Sequence, residues 1–340
     1  MTIKRNRLSE STGDNSGGVY FDDVFPVERF SSGCELLNRV LGRGWAKGRI
    51  ANIVGDKSTG KTLLAIEACA NFHREHEGNC DITYNEAEAA FDIAYAQTVG
   101  LPAHMVRFPE KQCETVEDFF EDLERVVNKA KRKKPTLYVI DSLDSLSDRA
   151  ELEREIDKGS FGVAKAKLMS QIFRRLVRKM ESKNVTLIVI SQVRDKIGVT
   201  FGKSTTRSGG RALDFYASQV IWLSNLGKIL KTRDGVVRPV GVRIRVKCEK
   251  NKTGLPYREC EMPILFSYGI DDVTAAVEWL KEVKRLDAIG VKPSGSIKFL
   301  KRINRLPAQE FKKERRRINK VVREVWGWVE EQFKPSRSKY

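Results

Sequence analysis

The chain has 340 residues, of which 41% are hydrophobic and 31% charged. That is enough to bury one large core of ~200 to 250 residues with a small satellite, and it excludes extreme disorder; no apolar stretch reaches the ~18 residues of a membrane-spanning helix. With 62 Lys and Arg against 45 Asp and Glu, the formal charge is +17, which favours an anionic partner.

Residues 1–30 form a polar lead-in, rich in Ser, Gly and Asn up to Gly18, followed by an apolar patch of Val19, Tyr20, Phe21, Val24 and Phe25. Met1 to Gly18 lacks the apolar centre of a signal peptide, so a cytoplasmic protein is expected. The patch has no partner of its own and reads as an arm that docks elsewhere or on another subunit. From 31 to 270, short β-branched runs alternate with longer helical patterns, the signature of a mostly parallel sheet wrapped by helices. Strands are expected at 50–54, 81–85, 105–108, 136–141, 185–191, 219–223, 239–249 and 260–266. The later strands crowd together around turn signals such as Arg233-Asp234-Gly235, so the sheet is expected to end in antiparallel hairpins. A helix from 271 to 286, a turn at Pro293 to Ser296 and further basic helices then make a small C-terminal domain, 271–340. Residues 281–340 hold 18 Lys and Arg against 7 Asp and Glu, with interleaved aromatics at Phe299, Phe311, Trp326, Trp328 and Phe333. That composition suits a polyanion.

The most specific motif follows the first long strand. Gly55-Asp56-Lys57-Ser58-Thr59-Gly60-Lys61-Thr62 satisfies G-x-x-x-x-G-K-[ST], and the helix-forming run Thr62 to His73 comes next. The glycines let backbone amides curl round an anion, Lys61 brings a positive charge to the β and γ phosphates, and Thr62 offers a hydroxyl to Mg²⁺. Thr136 to Ile140 ends in Asp141 and Ser142, which sets a carboxylate at the end of a buried strand to organise Mg²⁺. A group to orient the attacking water is expected from Glu86 or Glu88, just beyond another strand; spacing does not choose between them. The six cysteines, Cys34, Cys69, Cys80, Cys113, Cys248 and Cys260, are scattered without a C-x-x-C pair and read as reduced core thiols.

Taken together with Gly48-Arg49, Glu86-Ala87-Glu88-Ala89-Ala90-Phe91-Asp92, Glu151 to Ile156, Met169-Ser170-Gln171, Ser191 to Gly202, Gly209 to Ser218 and Lys250-Asn251-Lys252, these motifs stand in an order that resembles the ATPase core of the RecA family of strand-exchange proteins, phage relatives of the UvsX type included. The likeness covers residues 30 to about 270. It implies a RecA-like α/β core that binds ATP and Mg²⁺ and polymerises as a helical filament on single-stranded DNA, with double-stranded DNA received at a secondary site. It implies Glu88 as the catalytic glutamate, Asp92 and Tyr95 at the adenine, and Gln192 as a sensor of the γ-phosphate. Lys250 and Lys252 would reach into a neighbouring subunit's ATP.

Two segments, 154–163 and 194–210, become DNA-binding loops by the same resemblance. Their residues make sense on their own: Phe161, Ile197 and Val199 are apolar side chains on glycine-containing stretches, suited to gaps between unstacked bases. Ser170, Arg174, Arg194 and Arg211 add polar and cationic contacts, and Gly209 and Gly210 offer backbone amides to phosphates. Where family members carry basic residues of the secondary site this chain has Ser224 and Asn225, which leaves Arg245 and Lys247 on the companion strand. A ring helicase on the same core, or a non-catalytic accessory of a recombinase, are the competing readings. The Lys-Asn-Lys pair argues against the first, and the intact Lys61, Glu88 and Asp141 against the second.

Overall fold

The computed structural model describes residues 27–88, 91–149, 162–195, 205–207 and 210–337; the expected docking arm around Val19 to Phe25 lies outside them. A short antiparallel pair, β1 (Arg29–Phe30) and β2 (Trp45–Ala46), brackets α1 (Glu35–Val40) and leads into β3 (Ile50–Gly55), every residue of which is buried. Next come α2 (Lys61–Glu75), β4 (Asp81–Glu86), α3 (Ile93–Thr98) and β5 (Val106–Arg107). α4 (Val116–Lys129) opens on a capping box: Thr115 Oγ1 accepts from the Asp118 amide and Asp118 Oδ2 from the Thr115 amide, both at 3.1 Å. β6 (Thr136–Asp141), α5 (Gly162–Lys183), β7 (Val185–Asp195), β8 (Thr205–Arg207) and α6 (Gly210–Tyr216) follow. The chain then runs through β9 (Gln219–Arg233), β10 (Val236–Asn251), β11 (Arg258–Leu265) and β12 (Gly269–Ile270) into α7 (Asp272–Glu282), α8 (Ser296–Ile303) and α9 (Ala308–Gln332).

The main sheet has the order β12-β11-β10-β9-β3-β7-β6-β4-β5. From β9 to β5 every pairing is parallel, and from β9 to β12 every pairing is antiparallel. This is the mixed α/β architecture expected from the sequence. Period-two alternation divides the side chains between two cores: Leu137 and Val139 face the layer of α1, α2, α7 and α9, whereas Tyr138 and Ile140 face α4, α5 and α6. All six cysteines are buried free thiols.

Several boundaries differ from the expectation. The strand at 105–108 shrinks to β5 because Ala103–Met105 wind into a 3₁₀ turn. The helix expected to reach 286 stops at Glu282, since Lys284 takes a left-handed conformation with φ 57°. β9 and β10 are much longer than expected and meet at a two-residue loop, Asp234 and Gly235, both at positive φ, the turn that matches strand twist.

The basic C-terminal helices pack directly on the α/β core, since Ile318, Val322 and Val325 of α9 belong to the same apolar cluster as Ile53 of β3. Buried Asp272 is the polar anchor of that contact, accepting from Arg315 Nε (2.9 Å), Asn319 Nδ2 (2.9 Å) and the Glu35 amide (2.8 Å). Arg323 reaches Glu35 at 3.0 Å, and Arg258 grips Glu330 through two 2.6 Å bonds. Asp272→Ala strips three donors of their acceptor and is expected to cost ~2 to 4 kcal/mol, read as a lower urea midpoint. A midpoint within error of the parent would show that Asp272 does not anchor α9.

Candidate functional site

The carboxyl ends of β3, β4, β6 and β7 bring Gly55, Glu86, Asp141 and Gln192 to one edge of the sheet, where Gly55 is in register with Gln192 and Glu86 with Asp141. Such an edge is where open α/β sheets bind ligands. The loop leaving β3 is tightly built. Thr59 Oγ1 and Lys61 Nζ both donate to the Asp56 carbonyl at 2.8 Å, and the Lys57 amide donates to Asp56 Oδ1 at 2.7 Å. Gly60 sits at φ 79°, where a Cβ would come within 2.7 Å of Ile264 Cδ1, so only glycine closes the turn.

α2 starts on Lys61 with no side-chain cap and no acidic residue in its first turn. A cation at a helix N-terminus is the reverse of what the dipole favours. Uncapped amides and a lysine together therefore make a cradle for an anion, and phosphate oxygens suit it. Burial pulls the Lys61 ammonium below the usual lysine range, against the opposing pull of Asp141, Glu88, Asp56 and Asp144. Four carboxylates lie within electrostatic reach of this one lysine.

Asp141 is 2% exposed and accepts from Thr62 Oγ1 (2.7 Å) and the Tyr84 hydroxyl (2.8 Å). Burial raises its pKa in spite of those two hydrogen bonds. The Thr62 hydroxyl and Asp141 carboxylate are hard oxygen donors and fit Mg²⁺ by type.

Glu86 and Glu88, which spacing left undecided, have different surroundings. Glu86 accepts from the Phe91 amide and so fastens the turn after β4. Glu88 is exposed, and its Oε1 accepts from the Ser142 and Ser145 hydroxyls and, at 2.9 Å, from Gln192 Nε2. Burial works to raise Glu88, but those three donors and the nearby Lys61 outweigh it and hold the carboxyl below its ordinary range. Glu88 is thus an ionised acceptor at neutral pH, within the electrostatic reach of the phosphate-loop lysine. The Gln192 backbone N–H in turn donates to Asp144 Oδ2 at 2.6 Å.

The remaining sequence candidates fall in several places. Asp92 caps α3 by accepting from the Tyr95 amide at 2.9 Å, and the Tyr95 ring is 6% exposed with its hydroxyl 3.4 Å from Glu67. In this arrangement Tyr95 is a core side chain with little ring face left for a base. The Lys250 ammonium donates to the carbonyls of Asp214 and Phe215, and Lys252 donates to Phe215 at 2.7 Å; both end at the C-terminus of α6, where the dipole favours cations. Ser170 is half-buried and Arg174 exposed on α5. Arg194 lies in β7, and Gly210 and Arg211 open α6. Phe161, Ile197, Val199 and Gly209 lie outside the described residues. Arg245 is paired with Glu261 at 2.7 Å, whereas Lys247 is exposed. Sequence reasoning missed Tyr84, Asp144 and Ser145; the two in Ser142-Leu143-Asp144-Ser145 were signalled by polar residues directly after the strand.

A buried carboxylate with a raised pKa weakens the fold when ionised. That penalty is complete above the folded-state pKa and disappears as pH falls toward the unfolded value near 4. Asp141→Asn is expected to raise the melting temperature of the nucleotide-free protein at pH 7 by about 2 °C or more, the gain vanishing toward pH 4, while stabilisation by Mg²⁺ and ATP is lost. An unchanged or lower melting temperature at pH 7 would contradict this placement of the charge.

The family described as RecA N-terminal domain matches residues 19–271. Protein RecA of Nostoc punctiforme is 34% identical over 284 residues, spanning 83% of this chain and 75% of its own length. Protein RecA of Mycoplasma mycoides subsp. mycoides SC is 30% identical over 310 residues, spanning 91% of this chain and 86% of its own. The DNA repair protein recA homolog 1, chloroplastic, of Arabidopsis thaliana is 34% identical over 252 residues, or 74% of this chain and 55% of the relative. The chain belongs to the RecA family.

Proposed function

We propose that this RecA-family protein is a DNA-dependent ATPase that assembles as a helical filament on single-stranded DNA and exchanges strands with a homologous duplex. At the level of the family it is an ATP-dependent recombination and repair protein. The observation that carries the finer reading is the bond between Glu88 and Gln192. It ties the carboxylate facing the phosphate loop to a strand that, two residues later, enters segment 194–210, the second DNA-binding loop expected from the sequence.

In this reading the backbone of residues 55–62 and the Lys61 ammonium hold the β and γ phosphates of ATP. Thr62 and Asp141 would hold Mg²⁺, which supplies charge neutralisation on the phosphate oxygens. Glu88, kept ionised by its hydroxyl and amide donors, orients water and accepts its proton. Gln192 shares that carboxylate, so a change at the γ-phosphate alters what Gln192 can bond and hence the set of β7 beyond it. Lys250 at the end of β10 and Lys252 just beyond it, held against the C-terminus of α6, serve the ATP of an adjacent protomer. ATP then joins subunits, and hydrolysis loosens them. Asp92 remains the candidate for the adenine edge, and the Tyr95 contact requires α3 to shift.

Phe161, Ile197 and Val199 would enter gaps between bases, with Ser170, Arg174, Arg194, Gly209, Gly210 and Arg211 on the phosphates and Arg245 and Lys247 toward a duplex. Binding of this kind ignores sequence, as homology search requires, because base pairing must do the reading. Among the described residues no helix is long and apolar enough to cross a membrane, and we assign the work to the cytoplasm. A ring helicase and a non-catalytic accessory are not favoured: the lysines are a Lys-Asn-Lys pair, and Lys61, Thr62, Asp141 and Glu88 stand together as a connected set.

Electron microscopy with single-stranded DNA and a non-hydrolysable ATP analogue is expected to show long helical filaments; closed rings or isolated subunits would overturn the proposal. Lys61→Ala is expected to abolish nucleotide binding and hydrolysis. Glu88→Gln is expected to retain ATP and DNA binding while slowing hydrolysis by on the order of 10² or more, giving filaments that outlast the parent's. Normal turnover in Glu88→Gln would remove that residue from catalysis.

A further inference from the structure

The amino ends of the parallel strands lie opposite the nucleotide edge, about 17 Å away along the length of β6. α4 and α5 both finish there, and the segments that follow them are fastened side by side. The Thr136 amide donates to the Asn184 carbonyl at 3.0 Å, and Arg132 Nη1 to the Ser182 carbonyl at 3.4 Å. A tight turn, closed by the Lys134 amide on the Lys131 carbonyl at 2.9 Å, joins α4 to β6. Residues 129–134 hold five cations and no acid, and residues 174–183 hold five cations and one acid, so this edge is densely basic.

The neighbouring acids are already paired, Glu181 with Arg49 and Asp81 with Lys134 at 2.5 Å. Lys131, Lys133, Arg178, Lys179 and Lys183 are exposed and have no ion-pair partner among the described residues. Cations are favoured at helix C-termini, which accounts for Lys129 and Lys183 but not for the rest. Arg174 with Arg178, Arg175 with Lys179, and Lys179 with Lys183 are like charges at i and i+4, an arrangement that weakens a helix. Of these, Arg175 is relieved by Glu124 of α4 at 3.2 Å. α9 spreads its charge differently, with Arg317 on Glu314 at 2.7 Å and Lys320 facing Glu324 at 3.9 Å. The end of α5 therefore carries a repulsion that the packing of this chain does not use.

We propose that Lys131 and Lys133 on the turn, with Arg178 and Lys179 on α5, dock an acidic segment of a partner protein, an extended stretch in which Asp or Glu recurs. Carboxylates spaced along such a segment offset the repulsion among these cations without any change in the fold. The side-chain types favour carboxylates over a polynucleotide. Three of the four are lysines, compact point charges that a single carboxylate satisfies, and not the forks that grip phosphate in two places. No stacking platform for bases accompanies them, since the exposed large apolar side chains nearest in sequence are Phe108 and Phe215. The patch is also remote from the phosphate loop and from the two expected DNA loops, which precede α5 and follow β7 at the other edge of the sheet. Partner and DNA therefore bind together. The inference needs the fold alone and does not depend on the recombination reading.

The test uses the full chain and a labelled peptide that alternates Glu with Ser, beside a control peptide with Gln in place of Glu. Binding is followed by fluorescence anisotropy across a salt series, with single-stranded DNA and a non-hydrolysable ATP analogue at saturation so that the nucleic-acid sites are filled, and again on the free protein. The Glu peptide is expected to bind and the Gln peptide not to. Lys131→Ala, Lys133→Ala, Arg178→Ala and Lys179→Ala together are expected to weaken binding about 10-fold or more. That variant should melt at or above the parent temperature, because like-charge pairs have been removed from α5. The charge-keeping set Lys131→Arg, Lys133→Arg, Arg178→Lys and Lys179→Arg is expected to restore peptide binding.

A second alanine set, Lys312, Lys313, Arg316 and Lys320 on α9, removes the same charge from the opposite face of the sheet and is expected to leave peptide affinity within about two-fold. An equal loss from both sets would mean attraction by net charge alone and would overturn the inference. Equal binding of the Glu and Gln peptides would overturn it too, as would a patch variant that binds the Glu peptide as tightly as the parent. A patch variant that keeps the peptide but loses DNA would mark a nucleic-acid surface in its place. If the protein forms no filament yet the free chain binds the Glu peptide through the patch, the functional proposal falls and this one stands.

Discussion

One lysine among four carboxylates governs the site. Lys61 is set at the start of a helix, where its charge is unwelcome, and is drawn partly out of water beside Asp56, Glu88, Asp141 and Asp144. The arrangement makes sense as half of a charge distribution that a phosphate and a divalent cation complete. The parallel sheet makes it possible, because β3, β4, β6 and β7 run side by side and bring Gly55, Glu86, Asp141 and Gln192 to the same edge.

From that edge a short physical path leads away from the phosphates. Glu88 is bonded to Gln192, the Gln192 amide to Asp144, and β7 carries on to Asp195, where it pairs with β8 through Val193, Arg194 and Asp195. Every link is a hydrogen bond or a strand pairing, so a change in what Glu88 accepts has a direct mechanical route to the pairing of β7 with β8. Such coupling is a difference in free energy between two arrangements and is reciprocal: whatever nucleotide does to DNA binding, DNA does to nucleotide binding.

Much of this was legible in the amino-acid sequence, and the reasons are local. The phosphate loop is a contiguous pattern, Asp141 ends an unbroken apolar run, and the Asp234-Gly235 turn carries the backbone preference that closes a hairpin. What escaped reading depends on distant partners. The length of β9 and β10 was hidden because the hairpin they form beyond Leu223 is wet on both faces and so lacks the alternation that announces a strand. Arg245 looked free until strand register brought Glu261 beside it, and Tyr84 looked like core until its hydroxyl met Asp141. The attachment of the C-terminal helices turns on Asp272 and Arg315, 43 residues apart. Spacing did not separate Glu86 from Glu88; the resemblance named Glu88, and the turn after β4 occupies Glu86.

The coupling from nucleotide to DNA is most directly tested by the affinity of Gln192→Ala for single-stranded DNA, measured with a non-hydrolysable ATP analogue and again with ADP, beside the parent protein. The account predicts that the parent binds on the order of 5- to 150-fold more tightly with the analogue, and that the variant retains nucleotide affinity while this ratio collapses toward one. A variant that keeps the full ratio would show that the signal does not pass through Gln192.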